Sequence, residues 1–594
     1  MCGDLRAAND GEDVVVMGWV NRRRDHGNLI FLDLRDRSGI IQVVLDKELS
    51  GEAHTRAEVA RPEFVIAAVG KVRRREAALI NPKMATGEIE LLATRVLLLN
   101  DAKTPPFSPA EDAIANEEVR LKYRYLDLRR PEMQKNFRLR HEVARAIRNY
   151  LSDAGFLEIE TPFMTRSTPE GARDYLVPSR VHAGEFYALP QSPQIFKQIL
   201  MVSGFDKYFQ IARCFRDEDL RADRQPEFTQ IDLEMTFPRQ ELIFKTVEGF
   251  LSAAFATAGI KLEPPFVHMT YDEAIRNYGI DKPDMRLPAM VDLSEILTGT
   301  LRERLKVEQG LPVLGFRIPA SGSMSGTQKR ALTDEVRRFF GDCGLDLLDV
   351  ARLRSNEAFA PLAAAIEEKM QTPPDDLVVV VTPKLGTPER WNFDPHWIYK
   401  KVGGLRLELA KKYADKHRLF EPTGTAADYK FCWVTDFPMY EWGEEAQVWQ
   451  AAHHPFTAPH EDDITSGRLT TDKGAVRARA YDIVLNGTEL GSGSIRIHRK
   501  DVQTEIFRSL GMSDEELKAR FGFFLDALEY GTPPHGGIAL GLDRIIMILA
   551  GAQSLREVIA FPKTARAIDL MVDAPTPVSD TQLRDLHLRV VARS

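Results

Sequence analysis

The sequence predicts a multidomain protein of the α+β class. Its 594 residues are too many for one hydrophobic core, so roughly three or four domains are expected. Residues 14–99 contain five short apolar segments separated by Gly, Asp and Asn, which is the pattern of an all-β domain. Later segments mix helical periodicity with strands, which adds an α+β portion to the N-terminal β portion.

Charge and cysteine content favour an intracellular protein. Lys plus Arg total 79 against 87 Asp plus Glu, a net charge of -8, so RNA would have to bind at local basic patches. The four cysteines lie far apart without a C-x-x-C pair, which argues against zinc sites and disulfides and predicts a cytoplasmic location. The sequence shows neither a secretory leader nor an apolar run of membrane-spanning length, so no membrane association is expected.

Residues 1–103 are predicted to form an OB-type β-barrel, because five strands in about ninety residues are typical of this architecture. Arg22, Arg23 and Arg24 would supply charge along a nucleic-acid backbone, and Phe31 would offer a surface on which an unpaired base can stack. These residues favour nucleic-acid binding. Barrels of this size also bind sugars or proteins, and Phe31 could instead belong to the core.

A hinge over residues 104–130 is predicted to lead into a second domain. Prolines interrupt its first part, between residues 105 and 109. The apolar spacing before Gly155 predicts a helix, and residues 156–160 alternate as a strand that stops at Pro162.

The segment from Gln210 to Phe237 is the most charged strand-like stretch of the chain. Alternation from residue 230 onward places Asp232 and Glu234 on one face of a strand, so that face must meet solvent or a site. Residues 216–226 hold arginines but no glycine, which predicts a long loop rather than a tight turn. Its guanidinium groups suit phosphates, and Phe228 offers a face to a base. A solvated charged hairpin is the alternative.

Two cations that are far apart in sequence are candidates for one ligand. A Ser-Pro pair at residues 192–193 predicts a helix start, with Ser192 as the N-cap, that places Gln194 and Lys197 on one face. A single helical lysine is normally solvated, so a second cation is needed. Arg496 is the candidate, because the glycines at 491 and 493 allow the backbone to approach a ligand closely.

Residues 289–420 are predicted to be an inserted α+β domain. They contain a helical pattern over 333–340 and a buried strand over 377–381, but no recognisable chemistry.

The C-terminal part returns to candidate site residues. His453 and His454 are adjacent, but a metal site would need a third ligand at a suitable spacing. Asp482 and Glu489 are hard oxygen ligands that suit Mg²⁺. Residues 537–544 lead into a helix with an apolar stripe and with Arg544 in its first turn.

These motifs resemble the three signature motifs of class II aminoacyl-tRNA synthetases, and the chain is similar to the bacterial-type aspartyl enzymes in particular. The first motif ends at Pro162, the second spans Arg216 to Phe228, and the third ends at Arg544. The likeness runs from residue 18 to residue 563. It implies an anticodon-binding OB barrel and an antiparallel-sheet catalytic domain with helices. The implied bounds are 1–103 for the barrel, 104–130 for the hinge, 131–288 and 421–565 for the catalytic domain, 289–420 for the insertion and 566–594 for a C-terminal extension.

The resemblance implies a role for each matching residue. Catalysis is implied for Arg216 and Arg544. Aspartate binding is implied for Glu170, Gln194, Lys197, Arg216, Asp232, His453 and Arg496. ATP binding is implied for Arg216, Asp217, Glu218, Arg224, Gln225, Phe228, Glu489, Gly541, Leu542, Asp543 and Arg544. Mg²⁺ binding is implied for Asp482 and Glu489, and contacts to the tRNA anticodon for Arg24, His26, Phe31, Gln42 and Glu90.

The implied reaction is the ATP-dependent activation of L-aspartate to aspartyl-adenylate, followed by transfer to the 3′ end of tRNA(Asp). The implied assembly is a homodimer through the segment at Pro162. His26 resembles the residue of relaxed enzymes that also aspartylate tRNA(Asn), whereas leucine is typical of the discriminating form.

The alternatives are a strictly discriminating aspartyl enzyme, an asparaginyl- or lysyl-tRNA synthetase, and a nonenzymatic RNA-binding relative. A lysine pocket would need carboxylates where Lys197 and Arg496 stand, and an asparagine pocket would not need two cations.

Overall fold

The computed structural model describes most of the chain and resolves it into two compact units. The segments outside the described residues are 111–114, 168–171, 219–223, 308–310, 320, 323, 342, 374, 384–395, 418–422, 444–446 and 592–594. The first unit consists of residues 1–141, 218–226 and 546–594, and the second of residues 142–217 and 227–545.

The N-terminal part of the first unit is a closed five-stranded barrel. Its strands are β1 Asp13–His26, β2 Leu29–Asp36, β3 Gly39–Asp46, β4 Val65–Arg74 and β5 Ile89–Asn100. They close in the order β1-β2-β3-β5-β4, with β3 and β5 parallel and the other neighbours antiparallel. Alternate residues such as Val20, Leu32 and Val43 fill the interior. The predicted OB-type barrel is therefore confirmed.

Four helices accompany or follow the barrel: α1 Gly51–Glu58, α2 Glu117–Lys122, α3 Arg124–Asp127 and α4 Pro131–Asp153. The second half of the predicted hinge is helical and belongs to the first unit. Arg124 and Asp127 are buried there, and the Arg124 guanidinium donates to Asp127 and to the backbone carbonyls of Arg556, Ile559 and Ala560. These bonds fasten residues 117–130 to the C-terminal segment of the same unit.

The second unit contains three sheets and a hairpin. Its strands are β6 Leu157–Glu158, β7 Leu176–Pro178, β8 Phe186–Ala188, β9 Lys207–Phe215, β10 Glu227–Thr236, β11 Val267–Thr270, β12 Val291–Asp292, β13 Leu314–Ile318, β14 Cys343–Asp349, β15 Leu377–Pro383, β16 Phe431–Thr435, β17 Tyr440–Gly443, β18 Val448–Ala451, β19 Ala480–Leu485, β20 Thr488–Ile495 and β21 His535–Gly541.

The largest sheet has eight strands in the order β11-β16-β19-β20-β21-β10-β9-β6. Its inner pairs are antiparallel, and the two edge strands pair in parallel. Strand β10 lies between β9 and β21, with Asp232 opposite Gln210 and Ala539. The predicted alternation extends one residue too far, because β10 ends at Thr236 and Phe237 is exposed with a φ of 51°.

After α4 and up to residue 550, the described part of the chain has fourteen further helices: α5 Gln194–Val202, α6 Gln240–Ala256, α7 Tyr271–Tyr278, α8 Thr300–Leu305, α9 Gly326–Phe340, α10 Val350–Arg354, α11 Ala360–Met370, α12 Trp397–Lys412, α13 Ala414–His417, α14 Glu461–Thr465, α15 Arg468–Thr471, α16 Lys500–Ser509, α17 Asp514–Ala527 and α18 Leu542–Ala550. Ser192 was predicted as the N-cap of α5. The N-cap is instead Pro193, although Ser192 Oγ accepts the Gln194 N–H at 3.2 Å.

The predicted insertion contains a four-stranded sheet in the order β12-β13-β15-β14. The run Leu377–Val381 is fully buried in its β15, as the apolar sequence predicts. Residues of α9 and α12 pack on one side of this sheet and residues of α11 on the other. The α+β class is confirmed.

The chain continues past α18 into a segment of the first unit that carries one further helix, α19 Asp580–Asp585. Within the described residues, no helix has the length and apolarity needed to cross a membrane.

Candidate active site

Four buried ionic side chains meet on the large sheet of the second unit. Lys197 on α5 donates through Nζ to Asp232 Oδ1 at 2.7 Å and lies 3.3 Å from Glu234 Oε2. Arg496, just after β20, donates to the two Glu234 oxygens at 3.0 and 3.2 Å. All four side chains are at most 2 % exposed. The structure thus brings together the two cations that the sequence predicts for one ligand, and it shows that the polar face of β10 is buried.

Burial and pairing set the charge of this cluster. Burial would raise the pKa of Glu234, but Arg496 and Lys197 outweigh it and hold that pKa below its usual value. For Asp232 burial prevails, so its pKa is raised despite Lys197. Asp232 Oδ2 is buried and accepts no hydrogen bond from the described residues. A cationic donor could therefore bind there.

All five N–H groups of Arg496 are engaged. Besides Glu234 they donate to Ser494 Oγ at 2.6 Å, to Gly537 O at 3.2 Å and to His454 Nε2 at 2.6 Å. Since a guanidinium cannot accept, His454 Nε2 is the acceptor of this bond, and the Phe456 backbone N–H points at Nδ1 at 3.3 Å, so both contacts fit a ring that carries no positive charge. Burial and the Arg496 charge lower the pKa of His454 well below its ordinary value, which agrees with that assignment.

Glycines determine how tightly these strands pack. A Cβ at Gly537 would lie 2.2 Å from Glu234 Oε2 and 2.1 Å from Leu233 O, so only glycine leaves room for the Glu234 carboxylate. Gly491 and Gly493 were predicted to let the backbone approach a ligand. In the structure a Cβ at either would instead collide with the carbonyls of Ala539 or Gly537 on the neighbouring strand. These glycines are therefore required by the pairing of β20 with β21, and the predicted approach of a ligand stays a prediction.

A second carboxylate site lies on β19 and β20. Asp482 Oδ1 is buried without a hydrogen-bond partner among the described residues. Burial and the nearby Glu489 raise the pKa of Asp482 well above its ordinary value. The Lys282 ammonium lies 3.2 Å from Glu489 Oε2, and Glu489 contributes to raising the pKa of Lys282. Lys282 was missed in the sequence, where an isolated lysine carries no signal.

These two carboxylates fit a hard cation. An orphaned buried oxygen beside a second carboxylate is a suitable start of a magnesium site, since Mg²⁺ binds one or two protein carboxylates and completes its shell with waters and phosphates. Within the described ranges, no group of three or more His, Cys, Asp or Glu side chains could hold a metal ion. The remaining ligands would thus have to come from substrate and water.

His453 lies beside this second site. Its ring contacts Phe437 at a centroid distance of 4.9 Å, and burial lowers its pKa to about 4 despite Glu489 and Asp281. His453 is therefore neutral at pH 7 and can donate or accept a hydrogen bond without adding charge.

Arg216 and Phe228 lie side by side at the ends of β9 and β10. The Arg216 guanidinium lies over the Phe228 ring, 5.0 Å from its centroid. Its Nε is buried and has no hydrogen-bond partner among the described residues. Asp217, the next residue, donates its backbone N–H to Arg173 O at 3.0 Å. Arg216 thus keeps a donor available for an anion.

The start of α18 is bound to neighbouring strands. Asp543 is buried, and its Oδ2 accepts the Thr229 backbone N–H at 2.7 Å. Arg544 Nη1 donates to the Glu489 backbone carbonyl. Leu542 is buried in the core, and Gly541 pairs with Gln230 across β10 and β21. Asp543 therefore holds the strand that carries Phe228.

Other residues of the predicted ATP set belong to the first unit. Arg224 Nη1 donates to Glu218 Oε2 at 3.0 Å. Gln225 is buried and makes two hydrogen bonds with the backbone of Lys563, at 2.8 and 3.0 Å. Both ends of its amide are therefore occupied. Glu170, predicted to bind aspartate, lies outside the described residues.

The predicted anticodon residues share one face of the barrel. Arg24 donates to Gln42 Oε1 at 3.0 Å, and Gln42 donates to Glu90 Oε2 at 2.8 Å. Phe31 is half-buried, with the Arg24 guanidinium 5.7 Å from its ring centroid and the His26 ring edge-on at 5.7 Å. Phe31 is therefore not a core residue. Its ring lies beside the Arg24 guanidinium, and proteins that bind single-stranded nucleic acids use such pairs of an aromatic ring and a positive charge.

Comparisons with known proteins agree with this arrangement. A family model described as tRNA synthetases class II (D, K and N) matches residues 116–565, and an OB-fold nucleic acid binding domain matches residues 14–99. The chain is 68 % identical, over 99 % of its length and 97 % of the relative, to the aspartate–tRNA(Asp/Asn) ligase of Acidobacterium capsulatum. It is 50 % identical, over 99 % of its length and 98 % of the relative, to the aspartate–tRNA ligase of Geobacillus kaustophilus.

Solved structures share the fold at low identity. Asparaginyl-tRNA synthetase of Pyrococcus horikoshii, complexed with asparaginyl-adenylate, superposes with a TM-score of 0.59 at 18 % identity, covering 95 % of this chain and 97 % of that one. A putative aspartyl-tRNA synthetase of Leishmania major gives 0.57 at 19 % identity, covering 94 % and 92 %. With the family model matching three quarters of the sequence, the chain belongs to the class II aminoacyl-tRNA synthetases, in the group of the D, K and N enzymes.

Proposed function

We propose that this synthetase activates L-aspartate with ATP and transfers it to tRNA. The observation that carries the choice of amino acid is the charge of the site. Lys197 and Arg496 pair with the carboxylates of Asp232 and Glu234. With Arg216, which this proposal assigns to the same site, three cations stand against two carboxylates, which leaves one net positive charge. Aspartate carries one net negative charge at pH 7, whereas asparagine is neutral and lysine is positive. Aspartate alone among the three neutralises the site.

Each charged group of aspartate has a complementary partner in this proposal. The α-ammonium would bind at the buried, unpaired Asp232 Oδ2 and at Gln194. The side-chain carboxylate would face Lys197 and Arg496, where it replaces the neutral His454 as an acceptor and gains a charge-assisted hydrogen bond. The amide of asparagine would bring an N–H₂ towards donors and leave them unpaired, which is the strongest form of discrimination between isosteric ligands.

Activation needs positioning and charge neutralisation rather than a general base. The α-carboxylate is already a nucleophile, so it has only to be held in line with the α-phosphate of ATP. Arg216, with its free Nε, is suited to bind both negative groups, and Phe228 to stack on the adenine. Assignment of Glu218, Arg224, Gln225 and Arg544 to ATP stays a prediction.

Asp482 and Glu489 would hold the Mg²⁺ of ATP in this reaction. When bound, the ion would neutralise charge on the phosphates of ATP and of the departing pyrophosphate. The Lys282 ammonium also lies next to Glu489 and carries a positive charge there.

The barrel would bind the anticodon through Phe31, Arg24, Gln42 and Glu90, with a cytoplasmic site of action. His26 touches the Phe31 ring and would lie near the anticodon bases. We extend the proposal to relaxed tRNA choice, in which tRNA(Asn) is charged as well as tRNA(Asp). The Asp/Asn name of the relative with 68 % identity supports it.

The test of the amino-acid assignment is ATP–pyrophosphate exchange with each of the protein amino acids in turn. Aspartate is expected to support exchange, and asparagine and lysine at equal concentration to support little. Exchange with asparagine or lysine at the aspartate rate would contradict the assignment.

A further inference from the structure

Three buried polar side chains form a hydrogen-bonded chain that begins in the candidate site and leads away from it. Gln194 Nε2 donates to Gln198 Oε1 at 2.9 Å. Gln198 Nε2 lies 3.1 Å from His535 Nε2, and His535 Nδ1 lies 2.8 Å from the Pro533 carbonyl oxygen. Gln194 is 5 % exposed, and Gln198 and His535 are fully buried.

The donor and the acceptor of every hydrogen bond in this series follow from the bond between His535 and the Pro533 carbonyl oxygen. A carbonyl oxygen can only accept, so His535 Nδ1 carries a proton and, in a neutral ring, Nε2 must accept. Burial lowers the pKa of His535, with Glu234 opposing and Arg496 reinforcing the effect, so the ring is neutral at pH 7. Gln198 must then turn its N–H₂ towards His535 and its oxygen towards Gln194. Gln194 must in turn direct its own N–H₂ at Gln198.

The consequence of these directions concerns the Gln194 amide, which lies in the candidate site. With its N–H₂ committed to Gln198, the Gln194 amide presents its oxygen elsewhere, and this oxygen accepts no hydrogen bond from the described residues. Gln194 lies one helical turn before Lys197 on the same face of α5, and Lys197 in turn binds Asp232. An ammonium can only donate, so it is attracted by an amide oxygen and repelled by an amide N–H₂.

We propose that His535 is a positioning residue which, through Gln198, fixes the Gln194 amide with its oxygen towards the substrate α-ammonium. The inference rests on the proposed function, because it takes the ligand of Gln194 to be the ammonium of an amino acid. Without the acceptor at His535, either amide can rotate by 180° and present N–H₂ to the substrate. His535 thus acts on substrate affinity without touching the substrate.

Two variants break the hydrogen-bonded series Gln194–Gln198–His535, and a third variant preserves it. His535→Leu removes the acceptor, and Gln198→Met removes both polar groups while keeping the length of the side chain. His535→Gln keeps an acceptor, because its amide oxygen can receive the Gln198 N–H₂. In ATP–pyrophosphate exchange the first two variants are expected to raise the KM for aspartate about tenfold or more. The KM for ATP should stay within about twofold, and His535→Gln should resemble the unmodified enzyme.

A double-mutant cycle separates positioning from packing. In a Gln194→Ala background no amide is left to orient, so adding His535→Leu is expected to change the KM for aspartate by less than about twofold. His182→Leu, at an exposed histidine of the same unit, is the matched control and should change nothing. The proposed function is tested separately in the unmodified enzyme, whose ATP–pyrophosphate exchange should depend on aspartate.

Two kinetic results and one structural result would overturn the proposal while leaving the proposed function standing. The first kinetic result is an unchanged KM for aspartate in folded His535→Leu and Gln198→Met. The second is the same tenfold increase with and without Gln194. Loss of fold in both variants, seen by circular dichroism, would show that the chain serves packing alone and would equally overturn it.

Discussion

At the scale of single residues, Arg496 shows why a charge cannot be exchanged for another of the same sign. Its five N–H groups reach Glu234, His454, Ser494 and the Gly537 carbonyl, a planar set that an ammonium cannot reproduce. We expect Arg496→Lys to keep the charge balance but to lower kcat/KM for aspartate at least about a hundredfold, or ~2.7 kcal/mol. Exchange kinetics measure this.

Arg499→Lys is the control for that variant, since Arg499 is an exposed arginine three residues away that pairs with Asp501. It should lose less than about twofold, as exposed pairs contribute little. Nearly normal kinetics for Arg496→Lys would show that the fork geometry is unimportant.

His453 makes a second prediction, which concerns pH. Its pKa is lowered from 6.5 to about 4 by burial, so between these values the unfolded chain binds a proton that the folded chain does not. The free energy of unfolding is therefore unaffected by this group above pH 6.5. It decreases as the pH falls towards 4, by up to about 2 kcal/mol between pH 7 and pH 5. Calorimetry should show a smaller fall in Tm over that range for His453→Gln. An equal fall in both proteins would contradict the assignment.

At the scale of elements, Asp543 connects α18 to β10. It accepts the Thr229 N–H next to Phe228, and it is itself buried. We expect Asp543→Ala to destabilise the protein by about 1–3 kcal/mol, because a buried N–H is left unpaired. The displaced Phe228 should raise the KM for ATP more than that for aspartate. Asp543→Asn retains an acceptor oxygen and should lose less in both respects. Equal stability of Asp543→Ala and Asp543→Asn would show that this bond does not hold β10.

The alternation of β10 shows how far sequence reasoning reaches. Spacing alone places Asp232 and Glu234 on one face, because a strand repeats every two residues. It cannot show that the face is buried, since the partners Lys197 and Arg496 come from other elements, and Arg496 is 262 positions from Glu234. Glu234 was therefore seen in the pattern but given no role. The barrel was predictable because its five strands lie within one continuous stretch of the sequence.

Residues without a local pattern were missed for the same reason. Lys282 meets Glu489 only after folding, and His535 is connected to the site only through its hydrogen bond with Gln198. The packing role of the β20 glycines was also missed, because the neighbouring strand that requires them lies more than forty residues later in the chain.

At the scale of the whole molecule, we predict a homodimer through the segment at Pro162. The eight-stranded sheet ends at the two-residue strand β6, and the apolar side chains Leu157, Phe163 and Met164 near it are 50, 52 and 59 % exposed. Closed two-fold assemblies are the commonest among soluble proteins. Sedimentation equilibrium at assay concentration should give a dimer, and Met164→Lys should shift it towards the monomer with loss of activity. Tyr530→Lys, at a residue 82 % exposed, should do neither. A fully active monomer would refute the interface.

The choice of tRNA is the last prediction and concerns the chain as a whole, since charging couples the barrel to the chemistry. His26 lies edge-on to Phe31 on the face that holds Arg24. An imidazole can stack or hydrogen-bond with either third anticodon base, whereas an aliphatic side chain offers shape alone. We therefore expect transcripts of tRNA(Asp) and tRNA(Asn) to be aspartylated at comparable rates. His26→Leu should lower charging of tRNA(Asn) more than that of tRNA(Asp) and leave ATP–pyrophosphate exchange unchanged. A preference of the unmodified enzyme for tRNA(Asp) above about a thousandfold, ~4 kcal/mol, would reject relaxed recognition.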